Sequence, residues 1–103
     1  MSSKHVTTYT TEIADTIRLD LPAGSEILGV ARAPRGISFF VLSLVEQAQT
    51  RLRFFRVVLG QTTYESDVTE EYVGTVVFGS AEAYHVFEIP HPDRGTRDRR
   101  LGL

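Results

Sequence analysis

No eleven-residue window of this chain keeps the 3.6-residue apolar period of an amphipathic helix; its apolar residues recur at every second position instead. Side chains of an extended strand point alternately to opposite faces, so this pattern commits the chain to strands that each turn one face to a core. Thr16-Ile17-Arg18-Leu19-Asp20-Leu21 is the clearest case, with Ile17, Leu19 and Leu21 on one face. Pro22-Ala23-Gly24-Ser25 ends it with turn chemistry, since Pro sets φ and Gly tolerates positive φ. A second strand spans Ile27–Arg32, and Pro34-Arg35-Gly36 turns the chain into Ile37–Val45, the spacing of a β-hairpin. That last segment is apolar on both faces. It predicts a central strand, covered on both sides or lying in a subunit contact.

Glu46–Thr50 is a polar connection and Arg51–Leu59 a fourth strand. Gly60–Glu71 reads as a polar surface loop with room for a single helical turn. Tyr72–Phe78 and Ala83–Ile89 are two further strands joined by a tight hairpin over Gly79-Ser80-Ala81-Glu82. Gly74, inside a strand, predicts a bulge or a close backbone approach. A Thr- and Val-rich strand around His5–Tyr9 completes the set. The predicted fold is all-β, an antiparallel β-sandwich or small barrel of six to seven strands.

With 103 residues the chain suits one domain, placed at residues 1–90. Residues 91–103 differ in composition: Arg94, Arg97, Arg99 and Arg100 face only Asp93 and Asp98, and apolar residues are almost missing before Leu101. This Arg-rich C-terminal tail is expected to be flexible on its own, and its arginines are candidate contacts to nucleic acid or an acidic protein groove.

Several function classes are disfavoured. The chain has no Cys, hence no disulfide, thiolate ligand or thiol nucleophile. A net charge of −2 speaks against a backbone-tracking nucleic-acid binder. The N-terminal residues lack the apolar stretch of a signal peptide, and Ile37–Val45 is far shorter than the roughly twenty residues of a membrane helix. The expected setting is the cytoplasm, with no membrane contact. One Lys against ten Arg hints at a high-GC genome.

Chemistry-bearing residues are sparse. His5, His85 and His91 do not form a metal-ligand spacing, and His85 and Glu88, three apart on a strand, point to opposite faces. The acids Glu65, Asp67, Glu70 and Glu71 lack the glycine of a calcium loop. No catalytic signature and no phosphate-cradling glycine loop occurs, so neither cofactor nor metal is expected. Arg51, Arg53 and Phe55 share one strand face, and Leu52, Phe54, Arg56 and Val58 the other. Arginines interleaved with aromatics can form a nucleic-acid platform. On a net acidic body the favoured reading is that Phe54, Phe55 and Val57 pack in the core while the arginines pair with nearby acids.

Four motifs occur in order, Leu21-Pro22-Ala23-Gly24-Ser25-Glu26-Ile27-Leu28, Arg53-Phe54-Phe55-Arg56-Val57, Tyr72-Val73-Gly74-Thr75-Val76 and His85-Val86-Phe87-Glu88, within a resemblance that covers about residues 13–89. This series resembles an uncharacterised family of small phage and prophage proteins with the pattern LPxGAxIL, RRFxVxGTG, YIGTV and WHVFE. The family's Gly-Thr-Gly stands here as Leu59-Gly60-Gln61, and Tyr84 precedes the final His. The resemblance implies a β-rich fold and a viral or prophage origin, and no activity.

The expected function is a non-enzymatic interaction module that self-associates and binds a host or viral macromolecule, with a host or phage protein as the expected partner, as an inhibitor of a host factor would. One alternative is a binding protein or hydrolase for a small anionic, nucleotide-like ligand, using Arg35, Arg53 or Arg56 for the anion and His85 as base. Another is a minor virion structural protein. The ligand reading requires His85 and at least two arginines to meet in one pocket.

Overall fold

Ile37, Phe39 and Val41 alternate with Ser38, Phe40 and Leu42, and the chain builds its first sheet around that doubly apolar strand. The computed structural model describes residues 3–60, 63, 64, 66, 69–79 and 82–92. Seven strands follow one another: β1 (Lys4–Glu12), β2 (Thr16–Pro22), β3 (Glu26–Ala33), β4 (Gly36–Leu44), β5 (Thr50–Leu59), β6 (Glu71–Phe78) and β7 (Glu82–Ile89). They form two antiparallel sheets, β1-β4-β3 and β2-β5-β7-β6. The fold is an all-β sandwich, and no helix occurs among the described residues. The tail's arginines, Arg94, Arg97, Arg99 and Arg100, lie outside them, as do Gln61, Glu65, Asp67, Ser80 and Ala81.

The core lies between the sheets. Ile37, Phe39 and Val41 of β4 face Ile17 and Leu21 of β2, Phe55 and Val57 of β5, Val76 of β6 and Val86 of β7. The Phe39 and Phe55 rings meet across the layers with centroids 4.8 Å apart. Burying each such ring stabilises the fold by about 1.5–3 kcal/mol, and the tilted ring pair adds about 0.5–1.5 kcal/mol. Phe54, expected in the core, belongs to the opposite face of β5 and is only half-buried. Period two forbids neighbours such as Phe54 and Phe55 from sharing a face. β4 is central in its sheet, yet its second face is half-open: Phe40 and Leu42 are half-buried, and among the described residues no third layer covers them.

Two glycines let the sheets close. Gly74 sits at a register shift between Tyr72 and Gly74, where β6 passes β3; a Cβ there would lie 2.8 Å from Val30 Cγ2. At Gly36 a Cβ would lie 1.8 Å from the Thr11 carbonyl oxygen, so this start of β4 accepts only Gly beside β1. The β2–β3 connection carries Gly24 at φ 78°, the left-handed region, and Ser25 N–H donates to the Pro22 carbonyl at 3.1 Å. β1 continues past Tyr9 to Glu12 because Thr10, Thr11 and Glu12 pair with Ser38, Ile37 and Gly36.

Candidate functional site

Arg53 points to the inner face of the four-stranded sheet, near the β2–β3 turn. Its neighbours there follow from register: Phe55 opposes Glu88, which sets Glu88 diagonally beside Arg53. The guanidinium donates from Nε to Glu88 Oε2 at 2.6 Å and from Nη2 to Oε1 at 2.8 Å, a bidentate fork. Nη1 donates to the Ser25 carbonyl at 2.5 Å. The Glu88 hydrogen bond raises the Arg53 pKa, burial opposes it, and the Glu88 and Glu71 charges add to the rise. Arg53 therefore ties the β2–β3 turn to β7. Two shallow clefts of about 720 and 290 Å³ share Ser25, Arg53 and Glu88 as walls. The charge that Arg53 would offer an anion there is already matched by Glu88.

Arg56 occupies the other face and is fully buried. It ion-pairs through Nη1 with Glu70 Oε2 and donates from Nη2 to Ser66 Oγ at 2.9 Å. Its guanidinium carbon stands 5.0 Å from the centre of the Tyr64 ring, and Tyr64 donates to Glu70 at 3.1 Å. Burial first, then the Glu70 hydrogen bond, push the Tyr64 hydroxyl above its ordinary 10.0. Described residues of the β5–β6 connection thus cap a charge the strand would otherwise bury alone. Arg53 and Arg56 thus pair with acids, as the reading of that strand expected. Glu70 came from the acidic run; Glu88, far along the chain, is legible only from pairing.

His85 shares the outer face with Arg56 but is opposite Val58. Its Nδ1 lies 2.9 Å from Thr75 Oγ1, which in turn hydrogen-bonds the Tyr72 hydroxyl. Glu88 is on the opposite face from His85, as their spacing requires. Arg35 belongs to the β3–β4 turn in the other sheet and is exposed. The structure therefore does not bring Arg35, Arg53, Arg56 and His85 into one pocket. Arg53 and Arg56 face opposite sides of one sheet, and Arg56 is sealed from solvent. Among the described residues no group of three or more His, Asp or Glu is placed to hold a metal, and no helix is long and apolar enough to cross a membrane.

The surface also presents apolar side chains. On the outer face of the three-stranded sheet, Val6 and Glu26 flank Leu42, and Leu28 emerges at a register shift beside Phe40. Val6 is 56% exposed, Leu28 49% and Leu44 36%. With Phe40 and Leu42 half-buried between them, these side chains form a patch at the end of the sheet away from the β3–β4 turn. The second sheet exposes Leu52, Tyr72 and Val77 on its outer face.

No curated protein and no solved structure matches the chain significantly. A family model matches residues 2–96, nearly the whole chain, and the chain belongs to that family, a domain of unknown function, DUF7352.

Proposed function

We propose that this protein is a non-enzymatic interaction module that self-associates and binds a host or viral protein through its sheet surfaces. The observation that carries this reading is the outer face around β4: Phe40 and Leu42 are flanked by exposed Val6, Leu28 and Leu44. Contiguous apolar surface of this kind, rimmed by polar residues such as Thr8 and Glu26, is characteristic of protein interfaces. The arginines support the same reading, because Arg53 at the inner clefts and Arg56 on the opposite face of β5 are both engaged within the chain. The likeness to phage and prophage proteins supports a partner from the host or the virus. A cytoplasmic setting is part of the proposal.

The test compares capture from a nuclease-treated lysate of a high-GC bacterium by three forms: wild type, Val6→Ser/Leu28→Ser and Tyr72→Ser/Val77→Ser. Saturable recovery of one protein by wild type and by the Tyr72/Val77 variant, with loss in the Val6/Leu28 variant, is the expected result. Equal capture by all three, or recovery that depends on nucleic acid, would overturn the assignment of this face.

A further inference from the structure

A free strand edge exposes unpaired N–H and C=O groups that another strand can bond, and folds blunt such edges with bulges, charges, proline or covering elements. Three of the four edges here are blunted. β3 and β6 each carry a register shift, at Ile27/Gly29 and Tyr72/Gly74, and they lie against each other, with Gly74 beside Val30. β2 carries Arg18 and Asp20 in its middle and ends in Pro22. β1 has none of these devices. Its nine residues pair with β4 without a register shift, it contains no proline, and it bears no Asp, Glu, Lys or Arg between Lys4 and Glu12. Among the described residues nothing pairs with its outer edge.

The direction of its backbone groups can be read. Val45 N–H donates to the Ser3 carbonyl at 2.9 Å, and these two residues continue the register that sets Lys4 opposite Leu44. Directly opposed residues of an antiparallel pair alternate between hydrogen-bonded and non-bonded. His5, Thr7, Tyr9 and Thr11 therefore bond to β4. Lys4, Val6, Thr8, Thr10 and Glu12 direct their N–H and C=O groups outward.

We propose that two copies of this chain join by antiparallel pairing of β1 with β1 about a two-fold axis at Thr8, giving a continuous sheet β3-β4-β1-β1-β4-β3. In this register Lys4 of one copy stands opposite Glu12 of the other, Val6 opposite Thr10, and Thr8 opposite itself. Every pair joins two residues whose backbone groups point outward, so the charge match and the hydrogen-bond phase select the same register. A one-residue slip breaks the phase. A two-residue slip keeps the phase but sets Lys4 against Thr10 or Glu12 against Val6. The contact is isologous and closes at two copies. The inference rests on the self-association proposed above and names its surface.

Sedimentation across a concentration series tests it with wild type, Lys4→Glu, Glu12→Lys, the double exchange and Thr8→Pro. Wild type should dimerise. Each single reversal sets like charges at both ends of the pairing and should weaken the dimer about tenfold. The double exchange should recover wild-type affinity, and so should an equimolar mixture of the two single variants. Thr8→Pro removes an outward N–H, not a β4 bond, and should yield a folded monomer. A dimer indifferent to the reversals and to Thr8→Pro would overturn this interface and leave self-association standing. A wild-type chain that stays monomeric at its highest soluble concentration would overturn both. The charge series decides the question even if Thr8→Pro fails to fold.

Discussion

Glu70→Gln is the substitution that most directly probes how this sheet tolerates a buried charge. Arg56 has no exposed surface, while the Glu70 side chain paired with it is 19% exposed. The change to Gln preserves the shape but deletes the Glu70 charge beside a guanidinium that stays buried on a strand flanked by Phe54 and Val58. Breaking one side of a buried ion pair costs about 3–5 kcal/mol. Because water can approach through the partly exposed Glu70 position, the low end applies, about 3 kcal/mol. For a domain of this size each kcal/mol lowers the Tm by roughly 4–8 °C, so the transition should fall by roughly 12 °C or more. Arg56→Met keeps the apolar stem against Val58 and Tyr64 and lets the Glu70 carboxylate turn to solvent. Its cost should stay within about 1 kcal/mol, since ion pairs exchanged for apolar side chains of like volume are often neutral. The double variant should match Arg56→Met, because the penalty in Glu70→Gln belongs to the buried guanidinium that has lost the Glu70 charge. Urea unfolding followed by far-ultraviolet circular dichroism measures all three, with the m-value as a check that the native state is unchanged. If Glu70→Gln unfolds within about 0.5 kcal/mol of wild type, or Arg56→Met costs as much as Glu70→Gln, the argument from desolvation is wrong.

Three further outcomes follow from burial and close approach. Phe55→Ala, at a fully buried ring, should cost about 3–5 kcal/mol, and Phe54→Ala, half-buried on the other face, about 1–2 kcal/mol; comparable losses in denaturant titrations would place both rings in one core. Gly36→Ala drives a Cβ to 1.8 Å from the Thr11 carbonyl oxygen and should cost about 3 kcal/mol or more, whereas Gly29→Ala, with nothing within 4 Å, should change thermal stability by less than about 1 kcal/mol. The Tyr64 hydroxyl, raised above 10.0, keeps its proton in the folded state after the unfolded chain has released it. Stability from this group is therefore complete below about pH 10 and declines as pH rises through the folded-state value, and Tyr64→Phe should flatten that alkaline decline in urea midpoints taken between about pH 8 and 11.

Much of the architecture was legible from alternation and turn chemistry. Ile17, Leu19 and Leu21 announce a one-sided strand, Pro22–Ser25 its end, and Ile37–Val45 a central strand, because strand geometry maps every second residue to one face whatever it packs against. Gly74 announced a local irregularity for the same kind of reason: a strand interior keeps Gly where a side chain has no room. The candidate site was less legible. The rule that separates His85 from Glu88 also separates Arg53 from Arg56, yet it says nothing of what lies opposite each one. Glu70 was within reach of a guess because it follows Arg56 closely in the chain. Glu88 was not, since it lies 35 residues from Arg53 and meets it only through the β5–β7 register.

Sequence alone, then, determined the class of fold, the division of each strand into two faces and the turns, since these depend on φ, ψ preferences and on neighbours one or two residues away. Tertiary structure decided which strands pair, that Arg53 and Arg56 are neutralised on opposite sides of one sheet, and that Phe39 and Phe55, not Phe40 and Phe54, meet in the core. It also decided that, among the described residues, β1 is left as the undefended edge. Pairing order and register are set by long-range packing free energy summed over both sheets, and no local window of residues contains that sum.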